Sequence, residues 1–292
     1  MIFLVITILI TTSFFILFRA FPFFKVTTFH AIVTNYCVCV LIGILTTEAH
    51  TSIGSVSLTQ NWVILSLFTG SLFLISFFLT ALTVNKVSVT VSSIASKTSL
   101  VIPVSVSLLF FPAVNKTLSF INYLGIFFAL VSIVLASIKA DKKFLSKQHK
   151  IRNFMLPLLV FVLAGSIDAL INYLNLRYSA EKGFLLFPVF AFSAAAGLGI
   201  LSMLISGAFK KLKLQSVLAG IMLGIPNYYS IVFLINTLKA FNNDGAVVFP
   251  LLNTGIIILA SFIAASFFKE KLHTLNMVGI GLAIVAIVCI FL

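Results

Sequence analysis

Two ionisable residues stand inside long apolar stretches, where charge is expensive. Lys97 lies in Ser92-Ser93-Ile94-Ala95-Ser96-Lys97-Thr98-Ser99, and Asp168 in Ala164-Gly165-Ser166-Ile167-Asp168-Ala169-Leu170. At the depth of a bilayer each such charge costs about 2.5–3.5 kcal/mol, so an intramembrane ion is a functional candidate by default. A lysine there can hold an anionic group such as a carboxylate. An aspartate can bind an amine or carry a coupling proton. The alternative is structural, with the two forming an ion pair or bonding to backbone carbonyls.

Helical spacing adds neighbours to both. Gly165, Asp168, Asn172 and Asn175 follow at intervals of three, four and three and share one helix face. Thr90, Ser93 and Lys97 share a face, while Ser88, Ser92, Ser96 and Ser99 form a second stripe. Small hydroxyl residues let helices approach closely, so this stripe reads as packing. Amides recur in apolar surroundings at Asn35, Asn227 and Asn253. Asn227 follows Pro226, which frees a backbone carbonyl and can act as a plain kink or as part of a site. The expected substrate-binding or coupling set is therefore Lys97, Asp168, Asn172, Asn253, Asn227 and Asn35.

Catalytic and metal chemistry find no footing. His30, His50, His149 and His273 are scattered without paired zinc spacing. There is no phosphate-cradling Walker loop and no Gly-x-Ser-x-Gly elbow. No metal, cofactor or catalytic residue is expected, and the chain reads as a non-enzyme. Glu270, in Phe267-Phe268-Lys269-Glu270-Lys271, reads as an interfacial residue with a solvated or capping role.

The elements that must position these residues follow from composition. Of 292 residues, 61% are hydrophobic and only 9% charged, against about 25% charged in a typical soluble domain. Mean hydropathy is +1.23. Too few polar residues remain to cover a soluble fold, a disordered chain or a secreted disulfide scaffold. Nucleic-acid binding would be one reading of the net charge of +13, but the basic residues sit in short gaps between apolar runs, which is the pattern of membrane topology. Cys37, Cys39 and Cys289 lie within apolar runs and read as small hydrophobes. The N-terminus lacks a basic region and reads as a retained first span.

Cutting the chain at its charges and turns yields ten runs near 20 residues, the length that crosses a bilayer. The fold class expected is an all-α polytopic membrane protein of ten transmembrane helices, arranged as two inverted five-helix repeats. Residues 1–138 form the first repeat, 139–152 a basic linker and 153–292 the second repeat. An offset of 156 residues places Val91 on Val247, Lys97 on Asn253, Thr98 on Thr254 and Gly70 on Pro226. Near the last span of each half the offset becomes about 154, which pairs Gly125 with Gly279. An odd number of spans per half requires the second half to enter the membrane inverted. Lys and Arg outside the spans divide fourteen to four between the two sides. The positive-inside rule then puts the 139–152 loop in the cytoplasm and both termini outside.

The run Phe267-Phe268-Lys269-Glu270-Lys271-Leu272-His273-Thr274-Leu275-Asn276-Met277-Val278-Gly279-Ile280-Gly281-Leu282-Ala283 resembles the close of proteins in the drug/metabolite transporter superfamily, EamA-like branch. Segments around Lys97–Pro103 and Leu223–Ser230 are similar to bacterial members. The resemblance covers essentially the whole chain. It implies a ten-helix transporter of small polar metabolites, often amino acids or related compounds, working by alternating access in a bacterial inner membrane. It also implies that spans four and nine, with Lys97 and Asn253, face a central cavity. Two departures stand out: Pro112–Lys116 lacks the acid that commonly ends span four, and the charge bias inverts the usual orientation. The expected partners are a small-molecule substrate and the lipid bilayer, with coupling to a proton gradient through Lys97 and Asp168. The rival readings are a membrane receptor or scaffold and an intramembrane lipid-modifying enzyme.

Overall fold

The computed structural model describes residues 2–46, 56–103, 119–137, 147–178, 181, 183–241 and 245–291. Pro112–Lys116 and most of the 139–152 stretch lie outside them. Among the described residues the regular structure is helical, in the order α1 (Ile2–Ala20), α2 (Thr28–Thr46), α3 (Asn61–Lys86), α4 (Val89–Thr98), α5 (Phe120–Ser137), α6 (Lys147–Tyr178), α7 (Phe187–Ile205), α8 (Leu214–Ala240), α9 (Gly245–Ser266) and α10 (Thr274–Phe291). Short 3-10 turns at Phe184–Leu186 and Ala208–Lys211 flank α7. Six helices, α1, α2, α3, α6, α7 and α8, are long and apolar enough to cross a membrane, and shorter apolar stretches lie in α5, α9 and α10. Large side chains such as Leu9, Leu41, Phe68 and Phe262 are exposed on them, as lipid-facing residues would be.

The chain divides into two compact units. The first comprises Met1–Arg19, Leu79–Ala169 and Val232–Leu292. Its core gathers Val91, Ile94 and Ala95 of α4, Ala129 and Ile133 of α5, Ile257 of α9, and Ala283 and Ile287 of α10. Small residues set the spacing between α5 and α10. A β-carbon at Gly125 would lie 2.9 Å from Ile290 Cγ1 and 3.0 Å from the Ala286 carbonyl. One at Gly279 would lie 2.9 Å from the Ala136 amide and 3.1 Å from the Ser132 carbonyl. The start of each helix meets the end of the other, so the pair is antiparallel. Asn122 donates to the carbonyls of Cys289 and Ile290, both at 3.1 Å. Asn276 donates to the carbonyls of Leu135 at 3.4 Å and Ala136 at 2.8 Å.

The second unit comprises Ala20–Phe78 and Leu170–Ile231. Here α2 packs antiparallel to α7: Gly43 lies against Val189, and Gly199 against Val33. Gly70 of α3 lies so close to the Ala191 carbonyl that any β-carbon would overlap it. Close approach is what requires glycine there. In α8, Gly220 and Gly224 lie against the Ala31 and Asn35 carbonyls of α2. Trp62 is wholly buried and meets Phe184 and Phe190 edge to face, at centroid distances of 5.8 and 5.6 Å. Such aromatic pairs add stabilisation beyond the area they bury.

Candidate functional site

In the first unit, α4 begins at a well-made cap. Ser88 accepts the Val91 amide at 3.0 Å, satisfying one of the orphan donors of a helix start. A second cap comes from outside the helix. Glu270, just past α9, accepts the Val89 amide at 3.0 Å and faces Thr90 Oγ1 at 3.5 Å. Its carboxylate also lies 4.0 Å from Arg19 Nε, with only 9% of the Glu270 side chain exposed. A carboxylate at a helix N-terminus is favoured by the helix dipole. Of the solvated or capping role expected of Glu270, the structure shows the cap, and the helix it caps is the one carrying Lys97.

Lys97 occupies the last turn of α4 and is half-buried. Asp168 stands on α6 in the same compact unit, one turn after Gly165. A β-carbon at Gly165 would lie 2.7 Å from the Ser99 carbonyl and 2.5 Å from Ile102 Cδ1. Glycine lets α6 press onto the chain just beyond Lys97. Asp168 is exposed.

Asn253 of α9, also in the first unit, is 4% exposed. Its Nδ2 has no hydrogen-bond partner among the described residues. A buried amide donor left unsatisfied costs about 1–3 kcal/mol, so this group is a candidate for a ligand or a water. The serine stripe of α4 is a packing surface as expected: Ser92 and Ser99 are wholly buried, and Ser92 donates to the Thr80 carbonyl of α3 at 3.4 Å.

The second unit holds the other amides. Asn227 Nδ2 donates to Asn35 Oδ1 at 3.1 Å. The Cys39 thiol points to the same Oδ1 at 4.0 Å and donates to the Gly224 carbonyl at 3.5 Å. Asn35 is wholly buried, and its Nδ2 has no partner among the described residues. Tyr36 donates to the Phe73 carbonyl at 2.9 Å. Asn172 of α6 is half-buried, and the side chain of Asn175 lies outside the described residues.

Of the six sequence candidates, the structure joins Asn35 and Asn227 as an amide pair, and it places Lys97, Asp168 and Asn253 in the first unit and Asn172 in the second. The amide pair was not legible as a pair, since 192 residues separate its members. Residues that sequence reading missed are Arg19, Asn122 and Asn276. The last two had a signal. The pattern Asn-x-x-Gly-Ile-x-x-Ala-x-x-x-Ile runs from Asn122 to Ile133 and again from Asn276 to Ile287.

No protein-family model matches the chain. A Haemophilus influenzae protein described as uncharacterized is 36% identical over 77 residues, and the match spans 26% of either chain. The chain thus matches about a quarter of that relative's length. A solved structure described only as "Crystal structure of protein" aligns with 97% of this chain and 96% of its own, at TM-score 0.55 and 14% identity. That likeness concerns the fold alone. The class defined by these findings is an all-helical chain with several helices able to cross a membrane.

Proposed function

We propose that the chain is a secondary transporter of the EamA-like kind, built from two inverted five-helix repeats, that moves a small polar metabolite across a bacterial cytoplasmic membrane. The observation that carries the repeat is a reciprocal set of contacts. Asn122 reaches residues 289 and 290, and Asn276 reaches 135 and 136. Each group in the first contact has its counterpart 154 residues along (122 to 276, 135 to 289). The same holds in the second unit at 156 residues: Gly43 meets Val189 while Gly199 meets Val33. Contacts in which i meets j and j meets i are isologous and imply a two-fold axis. Because each helix pair is antiparallel, that axis lies across the helices. An axis in the membrane plane is the geometry of inverted-repeat transporters.

Lys97 and Asp168 would carry the transport chemistry. Lys97 holds an anionic group of the solute, and Asp168 takes an amine or a coupling proton. Asn253, with its unsatisfied donor, offers a further hydrogen bond. The repeats rock about the midplane to expose the solute to either side. Flux in proteoliposomes tests this, with labelled amino acids, organic acids and polyamines, with and without a pH gradient. Gradient-dependent uptake is expected in the wild type, with loss in Lys97→Ala and in Asp168→Asn. Normal transport by both variants would overturn the mechanism, and no flux across the panel by folded protein would overturn the function.

A further inference from the structure

The second unit carries a basic surface that the transport reading does not use. Two turns meet at one end of it. One is Phe21–Val26, before α2, and the other is Gly207–Lys213, between α7 and α8. The Thr27 amide, just past the first turn, donates to Ser216 Oγ, just past the second, at 2.9 Å. Both turns use left-handed backbone, at Lys25 (φ 53°) and Gly207 (φ 65°). For Lys25 that conformation is unfavourable. The bonds from the Lys25 amide to the Pro22 carbonyl at 3.1 Å and from the Val26 amide to the Phe21 carbonyl at 3.0 Å hold it.

Lys25, Lys210, Lys211 and Lys213 are all exposed on these turns. None forms an ion pair with an acid among the described residues. Phe23 and Phe24, beside Lys25, are 70% and 69% exposed. Four unpaired ammonium groups would repel one another unless an anion lay across them. Exposed rings beside them would be poorly placed in water, but they suit the boundary between headgroups and acyl chains.

We propose that this end of the unit is a docking surface for anionic phospholipid. The four lysines would bind the phosphodiester headgroups, and Phe23 and Phe24 would enter the acyl boundary. Each lysine near an anionic surface favours binding by about fivefold. The proposal requires a membrane protein but no particular solute, so it stands or falls apart from transport.

The test uses the full chain in detergent, with lipid binding read by native mass spectrometry and the unfolding midpoint read in parallel. Phosphatidylglycerol is compared with phosphatidylcholine of the same acyl chains. The wild type is expected to retain phosphatidylglycerol at least tenfold better at low salt, with the preference shrinking as salt screens the charges. K25Q/K210Q/K211Q/K213Q should abolish the preference without moving the midpoint in phosphatidylcholine. Arg177→Gln, beyond the far end of α7, should leave it intact. If the quadruple variant does not fold, the four single variants replace it, and each should lower the preference in part. Equal retention of the two lipids, an undiminished preference in the variants, or equal stabilisation by soluble glycerol 3-phosphate would each overturn the proposal.

Discussion

Asn122 and Asn276 do the same two jobs at opposite ends of one helix pair. Each Oδ1 accepts a backbone amide three residues back, Ser119 at 2.7 Å and His273 at 3.0 Å. That is the reverse half of a capping box. Each Nδ2 crosses to the neighbouring helix and donates to carbonyls of its last turn, which have no partner within their own helix. One amide therefore closes the start of its own helix and the end of the other. In a bilayer, where water does not reach such groups readily, both services are worth more than at a soluble surface.

Replacing either residue by Ala should cost about 1–2 kcal/mol of stability, from a lost cap and a lost interhelical bond. The two sites lie at opposite ends of the pair, so the double variant should show an additive loss. Unfolding in detergent checks this. If neither single variant is destabilised, the shared role is wrong.

Glycine positions should divide by what they touch. Alanine at Gly125 or Gly279 meets backbone atoms of the partner helix, which cannot rotate away, and should cost about 1–3 kcal/mol. Alanine at Gly43 meets only side-chain atoms, Val189 Cγ2 at 3.0 Å and Tyr228 Cε2 at 3.4 Å. There the gain in helix propensity of about 1 kcal/mol offsets the crowding, and the substitution should be near neutral. Equal losses at all three would contradict the packing described.

Glu270→Gln keeps an oxygen to accept the Val89 amide, whereas Glu270→Ala removes it. The alanine variant should lose about 1 kcal/mol or more, and glutamine less. Arg19→Gln, which leaves the cap in place, should resemble the glutamine variant. A thermal-unfolding series in which glutamine lost as much as alanine would show that charge, and not the cap, holds the start of α4.

Lys97 and Asp168 should be coupled in a double-mutant cycle. Neutralising one leaves the other uncompensated, so Lys97→Met and Asp168→Asn should each destabilise more than their combination implies. The interaction energy should fall at about 0.5–3 kcal/mol. Gly165→Val, which forces α6 away from Ser99 and Ile102, should weaken that coupling without touching either charge. A coupling energy of zero in the wild-type background would mean that the two groups act separately.

Hydropathy is local, so the apolar runs were legible, and most of their described ends agree with the helices to within a few residues. Two depart: the run read from Phe154 to Leu176 belongs to a helix that already begins at Lys147, and the run read from Val87 to Phe111 is interrupted after Thr98, where α4 ends. A charge in an apolar run is also a local anomaly, which is why Lys97 and Asp168 could be found from sequence. Glycine spacing hinted at the correspondence of Gly125 with Gly279.

Which groups would meet was decided by tertiary structure alone. A helix presents the same Asn35 and Asn227 whether or not they touch, because their contact depends on how closely α8 settles on α2 at Gly220 and Gly224. Glu270 carries no mark in sequence that it serves α4 rather than its own helix. Asn122 and Asn276 look like ordinary polar residues near helix starts until the antiparallel packing brings each to the other's last carbonyls. Periodicity and hydropathy act over a few residues. Pairing depends on contacts across more than a hundred, and those exist only once the helices have packed.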